Sequence, residues 1–380
     1  MKITYLANVR IPTEKAHGLQ IMKMAEAFLN QGADLELIVA KRVNPDFVKV
    51  DPFEYYGVKN RFLIKRIWLI DLTAGDYSLK GLSVIIQNFS FAVFAFCHLL
   101  LKKTDIIYSR DEFSLFLLCF FRKNLVWEMH TFPQRKFRLY KFLLKRLKKI
   151  VVITRVLKKL LVEKAGIEAD KIIVCPDGVD LAQYDINLTK AECRQKLNLP
   201  ADKNIILYSG HLFKWKGVYT LADAGRYLSD NEIIVFVGGM KYDREKLSAY
   251  LKENGIKNVI LSGHVKPTLI PYYLKAADIL ALPNSAGKEI SELYTSPMKL
   301  FEYMAAQRPI VASDLPSIRE VLNENNSILI KPDDAKDLAD GIKIVLRDFD
   351  SAQNLAGNSF KEVQKYAWAI RAEKIIDFIK

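Results

Sequence analysis

Cysteine is scarce in this chain of 380 residues. Its four copies, Cys97, Cys119, Cys175 and Cys193, stand far apart, with no C-x-x-C pair and no histidine cluster beside them. That spacing argues against a zinc site and a disulfide framework, and suits a reducing cytoplasm. Neither G-x-G-x-x-G nor G-x-x-x-x-G-K-[ST] occurs, so a dinucleotide site and a P-loop site are not expected. The single D-x-D, Asp348-Phe349-Asp350, follows a helical pattern near the C-terminus and reads as a solvated helix end rather than a metal site. No repeat or low-complexity tract is present. The opening MKITYLANVR enters a strand pattern at once, and no signal peptide is read there. Acidic residues are absent from 131–162, a stretch with 11 Lys and Arg.

What is present fits a globular protein of more than one domain. The length exceeds what one hydrophobic core usually supports, and 50% of residues are hydrophobic against 26% charged. The net charge of +14 is concentrated early: residues 1–180 hold 30 basic and 18 acidic side chains. Such a one-sided field attracts an anionic partner, either a lipid surface or a nucleic acid. The apolar stretch 83–101 approaches the length of a membrane span. It carries Gln87, Asn88, Ser90 and His98, however, and is read as a buried helix feeding a strand at 106–108.

Short β-rich apolar runs alternate with helical patterns throughout. Strands are expected at 3–7, 35–39, 106–108, 125–129, 151–154 and 172–175. The rhythm restarts at 205–208 and continues through 233–237, 259–261, 279–282, 310–311 and 328–330. This alternation implies parallel sheets covered on both faces, and two restarts imply two sheets. The polar stretch 185–203 is the natural boundary, and a last helical run is expected over 360–380.

In open α/β sheets ligands bind beyond the carboxyl ends of strands, which selects four loops. The first, 8–20, holds Gly18, either a plain turn glycine or one that lets backbone approach a ligand at a helix start. The second places His130 at a strand end, as a structural histidine or as a group facing the ligand. The third, 209–217, brings Lys216 to a helix start, where a cation opposes the helix dipole unless a phosphate lies between them. In the fourth, Ser296 is expected as the N-cap and Pro297 as the first helical residue. The N–H groups of Met298 and Lys299 would then face an anion. Glu302 shares the face of Met298 and leans back toward the helix start, where a carboxylate can accept two hydroxyls of a ribose.

These residues carry a family likeness. The runs S-G-H-L-F-K-W-K-G at 209–217, G-H-V at 263–265, A-A-D-I-L-A-L-P at 276–283 and S-P-M-K-L-F-E-Y-M-A-A at 296–306 resemble family 4 retaining glycosyltransferases. So do C-P-D-G-V-D at 175–180 and V-V-I-T at 151–154. The resemblance implies an α/β GT-B fold, two Rossmann-like parallel-sheet domains facing each other across a cleft. An acceptor-side domain would span 1–185 with a returning helix at 366–380, and a donor-binding domain 186–365. Lys216 matches the lysine that grips the donor diphosphate, and Glu302 the second glutamate of E-x7-E, which binds the ribose hydroxyls. Backbone at His264 and Val265 matches the loop that reads the base. His130 resembles the histidine that touches the transferred sugar, and Gly18 the glycine near the phosphate. Two positions depart from the pattern: Tyr294 replaces the first motif glutamate, and His211 the arginine that usually partners the lysine. Glu289 or Glu292 would stand in for the missing carboxylate.

The resulting expectation is transfer of a sugar from a nucleoside diphosphate sugar to a hydroxyl acceptor with retained configuration. His130, Lys216 and Glu302 would be catalytic, with no metal and no other cofactor. The acceptor would be a glycan or a lipid-linked envelope precursor. The basic stretch 131–162 would hold the protein peripherally on the inner face of the membrane. Two rivals share the features: a non-hydrolysing sugar-nucleotide epimerase and a catalytically silent nucleotide-sugar-binding subunit. Nucleic acid is not an expected partner, since no recognised nucleic-acid module accompanies the basic run.

Overall fold

Runs rich in Ile, Val and Leu form the strands of two parallel sheets, as expected where both faces are covered by helices. The structure, a computed structural model, describes residues 1–42, 44–72, 80–133 and 137–380. It divides into two units, Met1–Pro176 with Trp368–Lys380, and Asp177–Ala367. The division at Pro176 thus falls upstream of the polar stretch at 185–203.

The first unit holds β1 (Lys2–Ala7), β2 (Asp34–Ala40), β3 (Leu63–Ile67), β4 (Ile106–Ser109), β5 (Leu125–Met129), β6 (Lys149–Val152) and β7 (Ile172–Val174). Their order is β3-β2-β1-β4-β5-β6-β7, all parallel. Strand β3 was not among the expected strands. Its sequence LIKRI carries Lys65 and Arg66 on a sheet edge, where charge blunts unwanted pairing and hides the apolar signal. Tyr5, Phe28 and Tyr108 pack edge to face at 5.1 to 6.4 Å in the core.

The helix Lys80–Leu100 corrects the reading of 83–101 as a buried helix. It feeds β4 as expected, and Phe91, Ala92, Ala95 and Leu99 are fully buried, but Leu82, Ile85 and Phe89 face outward. By length and composition it is apolar enough to cross a membrane, although part of it is buried against the protein.

The second unit holds β8 (Asn204–Ser209), β9 (Glu232–Val237), β10 (Val259–Gly263), β11 (Ile279–Leu282), β12 (Ile310–Ser313) and β13 (Ile328–Ile330). Their order is β10-β9-β8-β11-β12-β13. Each sheet therefore reverses its direction of winding once, at β1/β4 and at β8/β11, and these switch points are where such sheets bind ligands. The last helical run is broken. The helix Phe349–Val363 ends in the turn Gln364–Tyr366, and Trp368–Ile379 forms a separate helix within the first unit. Asp348 caps the helix at 349 by accepting the N–H of Ser351 at 3.0 Å. This gives the first carboxylate of the D-x-D a local structural task.

Candidate active site

In the second unit the loops after β8 and β11 are locked together by a glycine. Gly217 has φ +70°, and a Cβ there would lie 1.6 Å from the carbonyl oxygen of Pro283. The N–H of Ser285 donates to the carbonyl of Trp215 at 3.0 Å. This clasp fixes Lys216, the last residue of the turn Lys214–Lys216 and one residue before the cap of the helix Val218–Ala224. Desolvation pushes the Lys216 ammonium down to about 8.

A second lysine joins it. Lys299 lies in the first turn of the helix Met298–Ala305 and is 7% exposed. Its Nζ stands 3.6 Å from the centre of the Tyr208 ring and has no hydrogen-bond partner among the described residues. Burial, then the charge of Lys216, hold it well below the ordinary lysine value, with Glu302 opposing them. Burial pushes Glu302 up to about 7 against the pull of Lys299. Two desolvated lysine amines and one carboxyl raised by burial thus share a site at the β8/β11 switch point. Unpaired buried charge is unfavourable, and an anion placed there would relieve it.

The neighbouring residues fall into distinct roles. Tyr303 anchors the helix by accepting the N–H of Ser209 at 2.8 Å. Ser296 is not the N-cap: Pro297 holds that position, and the Ser296 hydroxyl accepts the N–H of Asp177 at 3.0 Å. Met298 is the first helical residue. His211 stacks on Phe213 with rings 5.0 Å apart and 3° from parallel. Tyr294 is buried, and its hydroxyl lies 3.4 Å from the Glu289 carboxylate, while Glu292 accepts the N–H of Gly287 at 2.8 Å. His264 is exposed and Val265 half-buried in the loop after β10. Gly263, just before them, has φ +76° and lies so close to Arg244 that a Cβ would stand 2.5 Å from its Nη1. Asn284 was missed from sequence. It follows Pro283 at the switch point and is buried, with a side-chain oxygen that has no hydrogen-bond partner among the described residues.

In the first unit the site is organised by Glu128 of β5, a residue that the sequence did not single out, two residues before His130. Its Oε1 lies 2.9 Å from His130 Nε2 and accepts from Gln20 at 2.7 Å and Arg371 at 2.8 Å, while Oε2 accepts the Tyr108 hydroxyl at 2.6 Å. Burial alone would raise this carboxyl, but the Arg371 guanidinium, His130 and Arg110 hold it well below the usual range. Arg110 continues the network by donating to Gln20 Oε1 at 2.7 Å. His130 is therefore oriented by a fixed carboxylate and keeps one edge partly exposed. Gly18 is filled by the chain itself. A Cβ would lie 2.3 Å from the Tyr56 hydroxyl, which donates to the Thr13 carbonyl and accepts the Thr13 N–H, both at 2.7 Å. The glycine thus lets Tyr56 pin the loop after β1.

Two family models account for nearly all of the chain: Glycosyltransferase Family 4 over residues 20–183 and Glycosyl transferases group 1 over 189–362. The chain belongs to the family 4, group 1 glycosyltransferases. Among curated relatives of this glycosyltransferase, a putative teichuronic acid biosynthesis glycosyltransferase, TuaC, of Bacillus subtilis is 32% identical over 171 residues, 44% of this chain and 40% of the relative. A UDP-Gal:alpha-D-GlcNAc-diphosphoundecaprenol alpha-1,3-galactosyltransferase of Escherichia coli is 27% identical over 204 residues, 52% of this chain and 47% of the relative. The matched segments thus span about half or less of these relatives' own lengths. Among solved structures, HepE of Anabaena in complex with UDP and glucose aligns with a TM-score of 0.77 at 18% identity, covering 99% of this chain and 98% of that one. At that identity the likeness speaks for the fold, a GT-B arrangement of two Rossmann-like sheets.

Proposed function

We propose that this glycosyltransferase moves a sugar from a nucleoside diphosphate sugar to a hydroxyl acceptor with retention of configuration and without a metal. The observation that carries the reading is the desolvated pair Lys216 and Lys299 beside Glu302 at the β8/β11 switch point. As the bond from the anomeric carbon to the diphosphate breaks, negative charge gathers on the leaving oxygens. Fixed cations and the helix N–H groups stabilise it without reorganising. Two ammonium groups can supply the charge that a divalent ion would otherwise bring. Glu302 binds the ribose hydroxyls, and backbone at His264 and Val265 reads the base. Tyr294, with Glu289 behind its hydroxyl, takes the place of the missing carboxylate toward the sugar. Glu292 is committed to its own loop.

In the first unit His130, oriented by Glu128, faces the transferred sugar. The acceptor is a lipid-linked or envelope glycan precursor, as the relatives' names indicate for those proteins. The basic stretch supports a peripheral membrane position, but in an amended form. In the helix Phe137–Arg146 and just after it, Leu143, Leu144 and Leu147 are buried in the core. Lys148 donates to the carbonyl of Ile379 and Lys149 to that of Asp170. The cations left outward on that helix are Arg138, Lys145 and Arg146, while Arg135 and Lys136 lie outside the described residues.

A thermal-shift screen with UDP-, GDP- and ADP-sugars, followed by an assay of acceptor-dependent sugar transfer, tests the reading. One nucleotide class should raise the melting temperature. No shift with any nucleotide, or donor consumption that does not depend on acceptor, would refute it.

A further inference from the structure

The helix Lys80–Leu100 buries polar side chains in its first half and apolar ones in its second, and turns a row of large apolar side chains to solvent. Ser83, Gln87 and Ser90 are buried. The Ser90 hydroxyl accepts the N–H of Ile70 at 2.9 Å and donates to the carbonyl of Gln87 at 3.1 Å, and Asn88 accepts from the Asn8 amide at 3.0 Å. On the other side Leu82, Ile85 and Phe89 are 53%, 59% and 57% exposed. Val93, Phe96 and Leu100 continue the row at helical spacing, half-buried. A surface helix of a water-exposed protein turns a polar face outward, whereas here the outer face is apolar as well.

The row does not stand alone. Residues 68–72 follow β3 and are tied to the helix through Ile70, and Trp68 there is 65% exposed, with the Lys41 ammonium 3.7 Å from its ring centre. At the far end Phe96 lies 5.2 Å from Phe121, whose neighbour Phe120 lies 5.4 Å from Phe142. The Arg146 guanidinium sits 3.7 Å from the Phe142 ring. The apolar strip thus runs without a break into the cationic face of the helix Phe137–Arg146. An exposed apolar surface of this extent marks an interaction site.

We propose that this face docks on an anionic bilayer, with Leu82, Ile85, Phe89 and Trp68 in the headgroup–acyl boundary and Lys41 and Arg146 on lipid phosphates. A row of apolar residues bordered by cations and an exposed Trp is the composition of an interfacial element. A second copy of this chain fits the face less well, since a symmetric interface would bring two strongly basic surfaces together. The helix lies on the membrane rather than crossing it, because its inner face is packed on the unit and both its ends lead into strands of one sheet. Asn8 follows β1, so its bond to Asn88 ties the helix to the carboxyl edge of the sheet, the edge at which His130 stands. A lipid-borne acceptor would be presented there. The inference rests on the reading of that acceptor as lipid-linked.

The test uses the full chain with vesicles of phosphatidylcholine, with and without phosphatidylglycerol, at low and high salt. Binding should favour the anionic vesicles and persist in part at high salt. The triple variant Leu82→Ser, Ile85→Ser, Phe89→Ser should lower vesicle partitioning at least about tenfold at both salts. Its melting temperature should stay near wild type, since all three side chains are exposed. Independently, Trp68 fluorescence in bound wild type should be quenched by lipids brominated in the acyl chain, and Trp68→Phe should lose that signal, because Trp127 and Trp368 are buried and Trp215 belongs to the second unit, away from this helix in the chain. Unchanged partitioning of the triple variant, no quenching in bound protein, or a dimer in solution that the triple variant abolishes would each overturn the proposal. If binding is lost only on changing Arg138 and Lys145 to Gln, the membrane reading stands and this face does not. If wild type binds no vesicle while a nucleotide sugar still raises its melting temperature, the docking proposal falls and the transferase reading survives.

Discussion

Arg371 donates to the Glu128 carboxylate at 2.8 Å, joining the last helix of the chain to the end of β5. Both side chains are almost wholly buried, and Arg371 also holds the carbonyls of Pro176 and Cys175 at 2.8 and 3.2 Å. Removing one partner of a buried pair leaves an uncompensated charge, so Arg371→Ala should destabilise the first unit by about 3–5 kcal/mol in urea unfolding. The pair also sets an acid response. Glu128 is depressed below 4.5 in the folded chain, so its contribution is complete above that value and is lost as pH falls through the lower folded value. A loss below about 1 kcal/mol would show that water, not Glu128, satisfies Arg371 in solution.

Lys216→Ala should lower turnover roughly 10²- to 10³-fold, the range seen when one stabilising donor is removed. Affinity for the free nucleoside diphosphate should also depend on pH through this amine. Lys216 is cationic below about 8, so binding should weaken as pH rises through that value, and the alanine variant should lack this alkaline limb. Calorimetric titrations across that range decide it. An identical limb in the variant would assign the loss to another group.

Glu302→Ala should weaken nucleoside diphosphate binding by about 1.5–3 kcal/mol, typical of hydrogen bonds to a charged group. Its carboxyl, raised from 4.5 to about 7, favours the protonated folded state, so its contribution to stability is greatest below 4.5 and declines as pH rises through about 7. Thermal melts from pH 4 to pH 8 should therefore show a smaller alkaline decline in Glu302→Gln than in wild type. Parallel melting curves would contradict the raised carboxyl.

Gly217→Ala should be among the most damaging single-methyl additions in the second unit. The new Cβ would collide with the Pro283 carbonyl, and φ +70° is a conformation that alanine resists. A loss of roughly 1–3 kcal/mol is expected, with weaker diphosphate binding because the Lys216 loop must move. Gly287, at φ +75° but with nothing near its absent Cβ, is the control, and Gly287→Ala should keep donor affinity.

What the sequence by itself determined lies within a few residues of each element. All thirteen strands among the described residues except β3 were legible, because fully buried parallel strands are unbroken apolar runs, whereas β3 mixes cations into an edge. Lys216, Glu302 and His130 were picked out by their places at strand and helix ends, since the carboxyl edge of an α/β sheet is encoded by order alone. Only the tertiary structure decided that Lys299 is buried beside Lys216, that Ser296 bonds Asp177 instead of capping a helix, and that Gly18 makes room for Tyr56. It also decided which face of the helix Lys80–Leu100 turns outward, a matter the composition of 83–101 left undetermined. Those facts depend on partners tens to hundreds of residues away, and no local period records them. Arg371 is the clearest case: in sequence it is one more cation in a C-terminal helix, and only the return of that helix to the first sheet makes it the counter-charge of Glu128.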